Sequence, residues 1–113
     1  MIFPEIQAYN VEDSVDWYEH FLDFKCTFKS SIKNPNSAII EKSNIKIFIK
    51  QTTSEIISKT TVIIQTNDID SAYSYAQDKG VIITSPVSKG SYGNKQFSVK
   101  DYDHNEIIYL QSA

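Results

Sequence analysis

The sequence predicts an α+β protein built from two tandem copies of a βαβββ unit. Three observations predict it: a helical segment that occurs twice, a short apolar strand-like run just before each copy, and three extended, turn-separated segments after each. A single ferredoxin-like α+β sandwich is the alternative for such a pattern, and the repeat weighs against it.

The repeat is seen by laying Asn10-Val11-Glu12-Asp13-Ser14-Val15-Asp16-Trp17 against Asp68-Ile69-Asp70-Ser71-Ala72-Tyr73-Ser74-Tyr75. Each begins with a side chain able to accept a hydrogen bond at a helix N-cap, followed by a β-branched residue and then apolar residues at helical spacing. The first helix presents Val11, Val15, Tyr18 and Leu22 on one face, the second Ile69, Tyr73 and Ala76. Pro4 to Ala8 and Thr61 to Thr66 read as the preceding strands. Gly80 suits the left-handed position after the second helix, with a strand restarting at Val81-Ile82-Ile83. The first helix has no such stop and runs through Phe21-Leu22-Asp23-Phe24 into a strand near Lys25 to Ser30. Further strands are expected at Ser37 to Lys42, Ile45 to Gln51, Gln96 to Lys100 and Glu106 to Gln111. Between strands lie turns such as Asn34-Pro35-Asn36, Ser43-Asn44 and Gly90-Ser91-Tyr92-Gly93-Asn94. Thr52 to Lys59 is the natural linker between module one, about 1–53, and module two, about 58–113. At roughly 55 residues neither module buries its sheet easily alone, so residues 1–113 are expected to form one domain with one folding transition.

Composition excludes several classes of function. The net charge is −3 and all 11 basic residues are lysine, scattered from Lys25 to Lys100, which argues against nucleic acid as a partner. Without arginine, an anionic ligand must be met by lysine or backbone N–H groups. Neither a signal peptide nor a membrane span is expected. The single cysteine, Cys26, forms no intrachain disulfide and suits a reducing, cytoplasmic setting. It has no neighbouring histidine, the serines lack a Gly-x-Ser-x-Gly setting, and Gly90-x-x-Gly93 follows no strand-to-helix turn, so nucleophile and phosphate-cradle readings fail.

Two segments resemble a known family. Asn10 to Phe24 is similar to the first-module signature of the vicinal-oxygen-chelate superfamily, which groups glyoxalases, bleomycin resistance proteins and extradiol dioxygenases; Asp101-Tyr102-Asp103-His104-Asn105 followed by Glu106 to Tyr109 resembles its Asp-Pro-Asp-Gly-Asn turn and closing strand. Asp23 stands where the pattern has Gly, Tyr102 where it has Pro, and His104 where it has Gly. The resemblance implies two modules whose mixed sheet curls around a cup, commonly completed by homodimerisation, and a choice between metalloenzymes and metal-free binding proteins.

In the family's enzymes, His or Glu side chains near the start of each module's first strand and on its last strand hold a divalent metal. Carried over, these positions fall on Phe3, Thr61, Ile47 and Ile108, none of which supplies an imidazole or carboxylate. No metal, cofactor or catalytic residue is therefore expected. His20 and His104 read as a surface helix residue and a turn residue.

Strand alternation then sends Phe3, Glu5 and Gln7 to the cup, with Pro4, Ile6 and Ala8 under the helix; in the second module Thr61, Ile63 and Gln65 take the same role. The closing strands add Ile45, Ile47, Ile49, Ile108 and Leu110, equally suited to filling a core or a dimer interface. Tyr92 is the best-placed rim aromatic, in a candidate lid, Ser88 to Lys95, where Lys89 and Lys95 offer positive charge. The leading expectation is a homodimeric, metal-free protein that sequesters a small, partly apolar molecule, as bleomycin-resistance-like members sequester drugs. Bleomycin itself is not implied, since only Glu5 and Glu106 supply the acidic lining a cationic drug favours. The alternatives are a metal-dependent lyase, isomerase or dioxygenase with ligands relocated to Glu5, Glu106 and His104, and a regulatory module acting through a protein contact.

Overall fold

A computed structural model of the chain describes residues 3–53 and 59–113. Among these residues two compact units are found, with their boundary between Thr60 and Thr61, and each has the order strand, helix, strand, strand, strand. The expected linker, Thr52 to Lys59, lies mostly outside the described residues.

The first unit comprises β1 (Glu5–Ala8), α1 (Val11–Phe21), β2 (Lys25–Lys29), β3 (Ser37–Lys42) and β4 (Ile45–Gln51). Its sheet has the order β1-β4-β3-β2, with β1 parallel to β4 and the other pairs antiparallel. Helix α1 starts where Asn10 accepts a hydrogen bond from the Asp13 N–H at 3.0 Å, satisfying one of the otherwise orphaned first-turn donors. Val11, Val15, Tyr18 and Leu22 are all buried, as the helical spacing predicts, and Tyr18 meets Phe24 edge-on at 5.6 Å. The chain leaves the helix through Asp23 at φ 60, the left-handed conformation the family signature assigns to Gly. Ile6 and Ala8 are buried beneath the helix, whereas Pro4 is exposed and lies ahead of the strand, its carbonyl accepting from the Phe48 N–H at 2.9 Å.

The second unit comprises β5 (Thr61–Gln65), α2 (Ile69–Lys79), β6 (Ile83–Lys89), β7 (Lys95–Lys100) and β8 (Glu106–Gln111), and its sheet repeats the pattern as β5-β8-β7-β6. Asp68 caps α2 through both the Ser71 N–H and its hydroxyl, which hold the carboxyl below its ordinary range, and Gly80 ends it at φ 80. The core centres on Phe97, edge-on to Tyr73 at 5.0 Å and stacked on Tyr109 at 4.9 Å. Burial, with a smaller contribution from nearby Tyr75, pushes the Tyr109 phenol well above its ordinary pKa.

One element differs from expectation. Val81 and Ile82 precede the strand rather than start it, and β6 runs on through Pro86 to Lys89. Pro86 is accommodated because β6 is an edge strand, so its missing N–H leaves no second neighbour unpaired. The expected Ser88–Lys95 lid is thereby reduced to a hairpin turn. Lys89 and Lys95 are paired strand residues, and the turn is closed by Gly90 N–H donating to the Asn94 carbonyl at 2.7 Å. The Asp101–Asn105 turn is tied by the Asp101 carboxylate, which accepts from the N–H groups of Asp103 and Asn105 and from the Asn105 side-chain amide. His104, at φ 67, again occupies a left-handed position where the family signature has Gly.

Candidate functional site

Each sheet has one face under its helix and one face turned away from it, and the pairing register decides which side chains go where. Directly paired residues lie on the same face. In the first unit Ile6 pairs with Ile49, Ala38 with Ile49 and Ile40 with Ile47, and all of these are buried under α1. The alternate set faces away from α1: Glu5 and Gln7 on β1; Lys46, Phe48 and Lys50 on β4; Ser37, Ile39 and Glu41 on β3; Lys25 and Phe28 on β2. Phe3, just ahead of β1, is exposed and continues the Glu5–Gln7 alternation.

Ile47 was expected on this open face and does not lie there: it is 0% exposed, beneath the helix with Ile49. The error is a register of one residue. Phe48 pairs with Glu5 as Ile108 pairs with Ile63, so Phe48, not Ile47, is the counterpart of Ile108 across the repeat. Ile45, aligned with Ile47 and Ile49 by alternation, leaves the open face with them. A one-residue slip exchanges every side chain of a strand between faces.

In the second unit Thr61, Ile63 and Gln65 are exposed and alternate with buried Val62 and Ile64. Glu106, Ile108 and Leu110 pair with them and share their face, joined on β7 by Gln96, Ser98 and Lys100. Ile63, in the middle of edge strand β5, is 61% exposed. The Ser98 hydroxyl is hydrogen-bonded to that of Thr84 at 2.7 Å. Tyr92, expected at the rim, is 91% exposed at the tip of the β6–β7 hairpin and belongs to neither open face.

The first unit carries a recess of about 380 Å³ lined by Asn36, Ser37, Phe48, Lys50, Gln51 and Thr53. Its floor is Phe48. Its rim is built by hydrogen bonds: Ser30 Oγ accepts from the N–H groups of Asn36 and Ser37, the Gln51 N–H donates to the Asn36 carbonyl at 2.8 Å, and the Gln51 side-chain amide donates to the Tyr9 carbonyl. Phe48 and Lys50 went unrecognised in the sequence because Ile45, Ile47 and Ile49 form the more regular apolar alternation. That regularity is the mark of the side packed under the helix.

The donor chemistry does not fit a resident metal. The positions corresponding to the family's ligands are Phe3, Phe48, Thr61 and Ile108, and among the described residues no three His, Cys, Asp or Glu side chains are placed to hold a metal ion. Glu5 and Glu106 lie on open faces, while His104 is exposed in its turn and His20 is exposed on α1. Cys26, half-buried on edge strand β2, donates to the Phe28 carbonyl. No helix among the described residues is long and apolar enough to cross a membrane.

Comparison with known proteins follows the same lines. A family model described as Glyoxalase/Bleomycin resistance protein/Dioxygenase superfamily matches residues 4–109. Among solved structures, TioX from Micromonospora sp. ML1 superposes with a TM-score of 0.89 at 16% identity, covering 100% of this chain and 99% of its own. A bleomycin resistance determinant encoded on the transposon Tn5 gives 0.85 at 14% identity, covering 99% and 97%. A bleomycin-binding protein complexed with bleomycin gives 0.83 at 14% identity, covering 100% and 98%. These likenesses are likenesses of fold. No curated protein matches the sequence.

Proposed function

The chain belongs to the Glyoxalase/Bleomycin resistance protein/Dioxygenase superfamily, and from that premise we propose that it is a metal-free homodimer that binds and sequesters a small, partly apolar molecule in the cytoplasm. The observation that carries the reading is the makeup of the open sheet faces. They combine large apolar side chains, Phe48 and Ile63 foremost, with isolated polar groups, the usual character of a small-molecule site. At the family's metal positions the side chains are aromatic, hydroxyl or aliphatic, which suits binding and supplies no Lewis acid. The expected ligand-contacting residues are Phe3, Glu5, Gln7, Thr61, Ile63, Gln65 and Ile108, with Phe48 in place of Ile47 and Tyr92 as an aromatic at a hairpin tip. Two fold relatives are a bleomycin resistance determinant and a bleomycin-binding protein, which makes protection against a toxic compound the natural setting.

The test is native mass spectrometry of untagged protein purified without chelator from its own host. A dimer mass carrying an organic adduct and no metal is the expected result. Stoichiometric metal together with a chelator-sensitive activity would overturn the proposal.

A further inference from the structure

We propose that the open face of the first unit takes a flat apolar molecule bearing one anionic group, its body resting on Phe48 and its charge at Lys50. The inference rests on the small-molecule reading above and deepens it by naming the ligand's chemistry.

The pairing register draws two rows across this sheet. One row is Phe48, Ile39 and Phe28, in adjacent strands β4, β3 and β2, with Glu5 at its β1 end. The next is Gln7, Lys50 and Ser37. Same-face residues two apart on a strand lie about 6.7 Å from each other. A ring lying on the Phe48–Ile39 row therefore carries a carboxylate within reach of the lysine stem, and Ser37, Asn36 and Gln51 border the same recess. Phe48 is half-buried and Phe28 47% exposed, so the apolar row is accessible.

Charge on the face points the same way. Glu41 lies between its cross-strand partners Lys25 and Lys46 and is ion-paired with Lys46 at 3.8 Å. Glu5 faces Phe48 in register and is a diagonal neighbour of both Lys46 and Lys50. Three lysines thus stand against two carboxylates, and Lys50 takes part in neither ion pair found among the described residues. The recess offers a cation, Lys50, and an aromatic side chain, Phe48, without a carboxylate among its lining residues. An anion gains a charge-assisted partner there and a cation meets repulsion.

The experiment uses two probes of the same body and opposite charge, naphthoate and naphthylmethylammonium. Each is titrated into the isotope-labelled full chain while backbone amide shifts are followed, with Lys50→Gln and Lys50→Glu variants alongside. Naphthoate is expected to move the amides of Asn36, Ser37 and Phe48 to Gln51, and to bind about fivefold more weakly to Lys50→Gln and at high salt. Lys50→Glu should lose naphthoate and admit the ammonium. Equal or tighter binding of the ammonium by the unaltered chain, or naphthoate affinity indifferent to Lys50→Gln, overturns the inference and leaves the small-molecule reading in place. So do shifts confined to the second unit. No shift with either probe also overturns it, and extends to the small-molecule reading only if the native protein carries no adduct.

Discussion

Ile47 and Phe48 are chain neighbours assigned to opposite faces of one strand, and truncating each in turn tests that assignment. Ile47 is fully buried between β4 and α1. Replacing it with alanine removes three carbon groups at about 0.8 kcal/mol each, and the cavity left behind raises the loss to about 3 kcal/mol. Phe48 has its ring at the open recess, so Phe48→Ala forfeits only the partial burial of that ring, about 1 kcal/mol. In urea titrations followed by circular dichroism the midpoint should fall far more for Ile47→Ala, with the slope unchanged in both. Thermal midpoints should fall by about 12 °C and about 4 °C. Equal losses, or a larger loss for Phe48→Ala, would refute the register and with it the location of the candidate site.

Ser14 is wholly buried on α1 and, among the described residues, its hydroxyl has no hydrogen-bond partner; Ser14→Ala should stabilise the protein by about 1 kcal/mol in the same titration. His104 holds φ 67, so His104→Gly should stabilise by about 0.5 kcal/mol while the β-branched His104→Val should cost about 1–2 kcal/mol; a neutral valine would refute the strain. The raised pKa of Tyr109 means that above its ordinary value of 10.0 the unfolded chain loses a proton the folded chain keeps, so stability is undiminished below pH 10 and falls as pH rises beyond it; Tyr109→Phe should flatten that decline. We also propose that the two modules unfold together, giving coincident thermal transitions by circular dichroism and calorimetry; two resolved transitions would show that each module stands alone.

Much of the fold was legible in the residues. Asn10 and Asp68 announce helix starts because their side chains accept from first-turn N–H groups, and Gly80 announces a stop because only glycine enters the left-handed region freely. The departures from the family signature at Asp23 and His104 were visible in the sequence, and the structure gives them a meaning: both sit at positive φ where the signature keeps glycine. Strand β6 begins at Ile83 and runs through Pro86 to Lys89, because a proline's missing N–H is tolerated at a sheet edge. The segment expected as a lid, Ser88 to Lys95, is instead the end of the β6–β7 hairpin, with Lys89 and Lys95 as opposite partners.

By itself, then, the sequence determined the repeat, the two helices and the alternation within each strand, because these follow from local spacing and capping. It did not determine which half of the β4 alternation faces the helix. Ile45-Lys46-Ile47-Phe48-Ile49 carries apolar residues on both sides, and a period of two distinguishes sides without naming them. Only the parallel pairing of β4 with β1, a partner some forty residues earlier in the chain, sets Phe48 beside Glu5 and Ile49 beside Ile6. Long-range register is a property of the folded sheet, and it is what turned Phe48 and Lys50 outward to form the recess.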